Sequence, residues 1–247
     1  MISFYDSGIG GKTILSKVLE IQPNLDIQYF ADLQFMPLGS KSKIEIINRL
    51  KVICNFLFKN SDLIVLACNT ASVNCIWELQ NNWLPLHFPK KQILGISKPI
   101  VEIFEQSNTD KMNKISILCT PATHQSGFYK YEIEKLGFKN VESIPCLDLA
   151  FAIENRNQQA IESSLYNISQ ENCDILLLAC THYPIVKKQI QNYFPKAKIL
   201  DPSYFIANRL FWYLHKHPEY RQGISGQKIF YDSKDMCFII DNSLNFH

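Results

Sequence analysis

The sequence has no run of like charge, no C-x-x-C pair and no apolar stretch that approaches the length of a bilayer crossing. Lys and Arg number 25 against 23 Asp and Glu, a formal charge of +2, so nothing in it tracks a nucleic-acid backbone or an anionic membrane. The expected partner is a small molecule. The opening MISFYDSGIGG lacks the basic segment and apolar run of a leader, and runs such as DILLLAC fall far short of the ~20 residues a spanning helix needs. These absences predict a soluble, cytoplasmic protein that engages neither nucleic acid nor membrane. Eight cysteines without paired spacing or a leader read as thiols rather than as a disulfide framework. For Cys54, Cys75, Cys146 and Cys173 the expectation is a small buried hydrophobe.

What is present is an α/β rhythm. Short apolar runs, ISFY, DIQYFAD and DLIVLAC, alternate with segments of helical period at 11–21, 42–58 and 70–82. The rhythm restarts with KISILCT followed by 122–136, and DILLLAC followed by 185–193. Strands this uniformly apolar are covered on both faces, so function is expected in the loops at their C-terminal ends. LIVLACNTAS and LLLACTHYP resemble each other, and their cysteines, Cys68 and Cys180, stand 112 residues apart. The same offset carries residues 2–6 onto 114–118, which points to a duplicated unit. Its equivalent loops would face each other across a cleft. The expected division is a first α/β domain of 1–95 plus 206–247 and a second of 96–205, both with mainly parallel sheets and related by a pseudo-twofold axis. The terminal KIFYDSKDMCFII reads as a hairpin able to return to either half.

The stretch DSGIGGKT ends like a phosphate-binding loop at Gly11, Lys12 and Thr13, but Asp6 stands where the first glycine belongs. A carboxylate there repels phosphate where amides should converge. A dinucleotide fingerprint fails as well, because Thr13 replaces the third glycine after Gly8 and Gly10. What survives is a glycine turn opening a helix and presenting Asp6 and Ser7, suited to holding a carboxylate. Cys68 and Cys180 sit where a strand gives way to a helix or turn, and free amides there favour the thiolate. Asn69 and Thr70 follow the first, Thr181 and His182 the second. Metal binding competes poorly, since Cys180 with His182 supplies only two ligands. Two equivalent cysteines in facing loops make a two-base device: one thiolate removes a proton from carbon and the opposite thiol returns one to the other face. The competing readings are buried strand-end thiols, a helix-capping Asp6, a His182 that only orients the turn before Pro184, and Glu154 as a helix-surface charge.

In the segments DSGIGG (6–11), ACNTAS (67–72) and ACTHYP (179–184), the chain resembles glutamate racemases of the cofactor-independent aspartate/glutamate racemase superfamily, in order and in spacing. PLGSK (37–41), TPATHQSGFY (120–129) and PCLDLAFAIE (145–154) extend the likeness over nearly the whole chain. The resemblance implies that Cys68 acts on D-glutamate and Cys180 on L-glutamate, with Asp6 assisting Cys68 and His182 and Glu154 assisting Cys180. It implies substrate contacts from Asp6, Ser7, Leu38, Gly39, Asn69, Thr70, Thr120, Thr123, Thr181 and His182. It further implies two α/β domains around glutamate, no metal or other cofactor, and D-glutamate made for bacterial peptidoglycan; it allows a homodimer.

The chain departs from that pattern in places. Leu33, Phe35 and Leu38 stand where many glutamate racemases have serine, arginine and tyrosine, Lys98 and Ile100 occupy positions more often acidic and glycine, and DPS at 201–203 replaces D-S-G. Without a hydroxyl at Leu38, a polar substrate group left unpaired costs roughly 1–3 kcal/mol. Two other readings therefore stand beside a glutamate racemase: an aspartate-preferring or broad-specificity racemase, and an amino-acid-binding or regulatory protein with weak catalysis.

Overall fold

The computed structural model describes residues 1–169, 172–221, 223–233 and 238–240. The first half runs β1 (Ile2–Asp6), α1 (Lys12–Ile21), β2 (Ile27–Ala31), α2 (Lys43–Leu57), β3 (Leu63–Leu66), α3 (Asn69–Glu78), α4 (Leu84–His87) and β4 (Gln92–Gly95). Helix α5 (Ser97–Gln106) leads into the second: β5 (Lys114–Cys119), α6 (Pro121–Ser126), α7 (Phe128–Lys135), β6 (Asn140–Pro145), α8 (Leu149–Glu154), α9 (Gln158–Ile168), β7 (Ile175–Ala179), α10 (Lys187–Tyr193) and β8 (Lys198–Leu200). The chain closes with α11 (Ser203–Lys216), β9 (Lys228–Asp232) and β10 (Phe238–Ile240).

Two sheets result, with strand orders β10-β9-β2-β1-β3-β4 and β6-β5-β7-β8. All pairings are parallel except β9 with β10. Setting aside β9 and β10, both halves place their first strand second, beside their third, which is the expected duplication. The single offset needs a correction. Tyr5 pairs with Leu66 as Leu118 pairs with Leu178, so β3 maps onto β7 at 112 residues but β1 maps onto β5 at 113. Asp6 thereby corresponds to Cys119, and Ser7 to Thr120. The terminal segment joins the first half: β9 runs parallel to β2 and β10 folds back on β9, while 234–237 lie outside the described residues.

Burial explains why the strands are apolar throughout. Along β3, Leu63 and Val65 face a central core while Ile64 and Leu66 face α2 and α3. Along β7, Ile175 and Leu177 face the same central core, and Leu176 and Leu178 face α8 to α10. Alternation thus exists, but both faces are dry. Ile14, Ile100, Phe104 and Leu210 carry the central core through α1, α5 and α11 from one sheet to the other. Ser3, a polar position of β1, is matched by bonds to Ser61 and Gln28.

Three helices differ from expectation. The segment expected at 122–136 breaks at Gly127, whose φ of 63° is a left-handed conformation that side chains with Cβ resist. The helix expected at 70–82 continues through a widened π-helical turn, Leu79–Trp83, into α4. Pro85 accounts for the widening, because its ring displaces the carbonyl one turn back and has no N–H to bond it. After Cys180 a 3-10 turn, Tyr183–Val186, carries Pro184 before α10 begins. Among the described residues no helix is long and apolar enough to cross a membrane.

A core shared by both sheets predicts that one truncation in it destabilises the whole molecule. Leu177→Ala should cost about 2–5 kcal/mol in urea unfolding, with a single transition and an unchanged m value. Two separated transitions would show that the halves melt independently.

Candidate active site

Parallel pairing brings the C-terminal ends of β1, β3, β5 and β7 to one side of the molecule. There they surround a cavity of about 280 Å³ with Ser7, Cys68, Asn69, Thr70, Thr120, Cys180, Thr181 and His182 in its wall. The turn carrying Leu38 and Gly39, and the start of α8, complete it. The structure therefore gathers most of the expected residues around one space. Asp6, Thr123 and Glu154 are set behind that wall.

On the first side, Cys68 stands two residues past the end of β3, at the N-cap position of α3. Its sulfur lies 3.8 Å from Ser7 Oγ, beside the amides that open α3. The expectation of a favoured thiolate is corrected here. Burial, followed by the nearby Asp6 carboxylate, pushes the Cys68 thiol up to about 12, and the Ala71 amide only partly offsets them. Asp6 is fully buried, and burial raises its pKa although Gly8 N–H donates to Oδ1 at 2.9 Å and Thr181 Oγ1 donates to Oδ2 at 3.0 Å. Asp6 thus grips the loop after β7 from the opposite half.

The second side is a relay. Cys180 Sγ is 3.9 Å from His182 Nδ1, and His182 Nε2 is 2.7 Å from Glu154 Oε2. Ile9 N–H also donates to that oxygen, at 2.9 Å. Burial would lower the His182 pKa, but hydrogen bonds to Cys180 and Glu154, with the field of Asp6, push it up to about 10. Burial works against the Glu154 carboxylate too, and the His182 and Ile9 bonds outweigh it, holding Glu154 below its ordinary range. Glu154 ends α8 with its side chain turned to His182, not to solvent as a surface charge would be.

Three threonine hydroxyls close the floor. Thr70 bonds Thr120 at 2.9 Å and Thr123 at 3.3 Å, and Thr120 bonds Thr123 at 3.1 Å, so Thr123 supports the wall from behind. Leu38 lines the cavity and also packs into the core beneath α2. Of the other departures, Leu33 packs against the central core, and Phe35 lies under Arg49, whose guanidinium forks onto Asp32. Close approach dictates two glycines. A Cβ on Gly10 would sit 2.6 Å from both His182 Nδ1 and Thr181 Oγ1, and one on Gly39 would sit 2.9 Å from Thr120 Cβ. Met36 and Leu147 from loops and Phe151 from α8 also line the cavity and escaped the sequence reading, because apolar side chains carry no chemical signature.

Paired α/β halves, each delivering a strand-end thiol to one cavity, define an amino-acid racemase scaffold. No protein-family model matches the chain. It is 32% identical over 245 residues to the glutamate racemase of Persephonella marina, covering 96% of this chain and 90% of that protein. Among solved structures, a glutamate racemase isoform from Bacillus anthracis superposes with a TM-score of 0.81 at 25% identity, over 94% of this chain and 88% of that one. The glutamate racemase of Francisella tularensis, solved in complex with D-glutamate, gives 0.78 at 28% identity, over 99% and 89%. The chain belongs to the glutamate racemase family.

The relay has a stability signature. His182 holds its proton more tightly folded than unfolded, so its contribution is complete below about pH 6.5 and is lost as pH rises through about 10. In Glu154→Gln the imidazole loses a partner, and the fall in Tm across that window should be shallower than in the wild type. The depressed Glu154 pKa affects stability only in acid, outside the window. Parallel Tm curves for the two proteins would show that Glu154 does not hold the His182 proton.

Proposed function

We propose that this protein interconverts L- and D-glutamate by a two-base mechanism without a cofactor. The observation that carries this reading is the pair of strand-end thiols, Cys68 and Cys180, delivered by different sheets to one cavity. In the L-to-D direction the Cys180 thiolate takes the α-proton, and the C–H electron pair passes onto the α-carboxylate. The Cys68 thiol then gives its proton to the opposite face of the carbon, leaving Cys68 as thiolate and Cys180 as thiol. The reverse reaction exchanges the roles. Cys68 is held as the thiol in the free protein, the form this direction requires.

The α-proton of an amino acid is weakly acidic, so the site must hold the reacting carbon close to sulfur and disperse charge on the carboxylate. Hydroxyls of Ser7, Thr70 and Thr120, the Asn69 amide and the free amides opening α3 suit that work, while Thr181, whose proton goes to Asp6, lines the cavity beside Cys180. His182, backed by Glu154, exchanges protons with Cys180, and Asp6 sets the field at Cys68. D-glutamate made in this way would feed peptidoglycan synthesis. Leu38 favours a second substrate as the comparison, since its side chain donates nothing to a distal carboxylate in the position the cavity offers.

Proton NMR in deuterated water, with purified protein, no added cofactor and chiral analysis of product, tests the reading. L-glutamate should lose its α-proton signal and yield D-glutamate faster than L-aspartate yields its enantiomer. Cys68→Ala and Cys180→Ala should each lower racemisation by at least roughly 10²–10⁴-fold. Substantial racemisation by either variant contradicts two bases; exchange of aspartate alone moves the substrate; binding with no exchange of either makes the protein a binder.

A further inference from the structure

Tyr129 lies at the second position of α7, just past the left-handed Gly127, and packs into the central core with 2% of its surface exposed. Its hydroxyl is 2.5 Å from Oδ1 of Asn69, sixty residues away on the other half. Tyr129 does not line the cavity, but Asn69 does. A phenol has one proton, and among the described residues Asn69 is its hydrogen-bond partner. Burial, and then the neighbouring thiols of Cys119, Cys68 and Cys180, drive phenol ionisation far above its ordinary range, so the hydroxyl stays protonated and donates.

Donation fixes the amide. An asparagine presents a carbonyl oxygen on one side and an NH2 on the other, and the two orientations are told apart by their partners. With the oxygen bound to the phenol, the NH2 must point the other way. Asn69 Nδ2 donates to no described residue, and it is not a sealed buried atom lacking a partner. Its two N–H bonds therefore open on the cavity, next to Cys68. The reverse orientation would leave the phenol proton without an acceptor and turn a carbonyl oxygen toward an anionic substrate.

We infer that Tyr129 is a positioning residue for racemisation: its hydroxyl locks the Asn69 amide so that NH2, not oxygen, meets a carboxylate of the substrate. The inference rests on the racemase reading above. It gives the second half a hand in a binding group that belongs to the first.

The test is a double-mutant cycle read in KM, kcat and Tm with both enantiomers of glutamate. Tyr129→Phe should raise KM for each about tenfold, with a smaller change in kcat, because a freed amide presents its oxygen part of the time. In an Asn69→Ala background the same change should move KM less than twofold. Equal effects in both backgrounds, or a KM within twofold of wild type for the single variant, overturn the inference. Asn69→Asp reads the orientation without touching Tyr129: an oxygen in place of the NH2 should raise KM more than Asn69→Ala does. If Asn69→Asp is the milder of the two, the amide faces the other way and the inference fails. Wild-type turnover in the same assay separates either failure from failure of the racemase reading itself.

Discussion

A carboxylate shut away from the protein surface is tolerated only if it is surrounded by donors, and Asp6, fully buried, imposes that requirement at the centre of this fold. Its oxygens draw in the Gly8 amide and the Thr181 hydroxyl. The first bond curls the chain after β1 into a glycine turn; the second ties β7 of the opposite half to it. Gly10 has no side chain because the tie brings His182 and Thr181 against its backbone. The field of the same carboxylate falls on Cys68. One charge thus sets a turn and a contact between halves, and adds to the burial that keeps a thiol protonated.

The two thiols consequently differ, although their strands match. Cys68 faces a serine hydroxyl and a buried carboxylate, while Cys180 faces an imidazole backed by Glu154. The proposed reaction is symmetric but the device is not, and that suits two sulfurs of which each would hold a proton when the other does not. The register slip between the halves bears on this: where β1 ends in Asp6, the matching position of β5 holds Cys119, so the second half has no carboxylate of its own at that point. It uses Glu154, from α8, through His182.

Much of this was legible in the chain. Apolar runs ending in Ala-Cys marked the strands and the thiols, since a parallel strand covered on both faces leaves its chemistry to its C-terminal end. Asp6, Ser7, Asn69, Thr70, Thr181 and His182 were visible for the same reason: they stand beside those ends. Partnership was not legible. Nothing in the spacing says that Asp6 would reach Thr181, that Thr123 would stand behind Thr70, or that burial would outweigh the helix start at Cys68, because each depends on how the halves are pressed together. The break at Gly127 was hidden by a helical period on both sides of it, and with it the direction of Tyr129.

The contacts between the halves are of two kinds, on opposite sides of the strand ends. Around the cavity they are polar: Asp6 with Thr181, Ile9 with Glu154, Thr70 with Thr120, Asn69 with Tyr129. Deeper in, Ile14, Ile100 and Leu210 form a continuous apolar mass. Water can replace a hydrogen bond at a net cost of about 0.5–1.5 kcal/mol each, but it cannot wet an apolar core so cheaply. The molecule is therefore closed like a purse, sewn with apolar thread in its depth and fastened with polar clasps at its mouth: the seam beside the cavity is the one held by bonds that water can substitute.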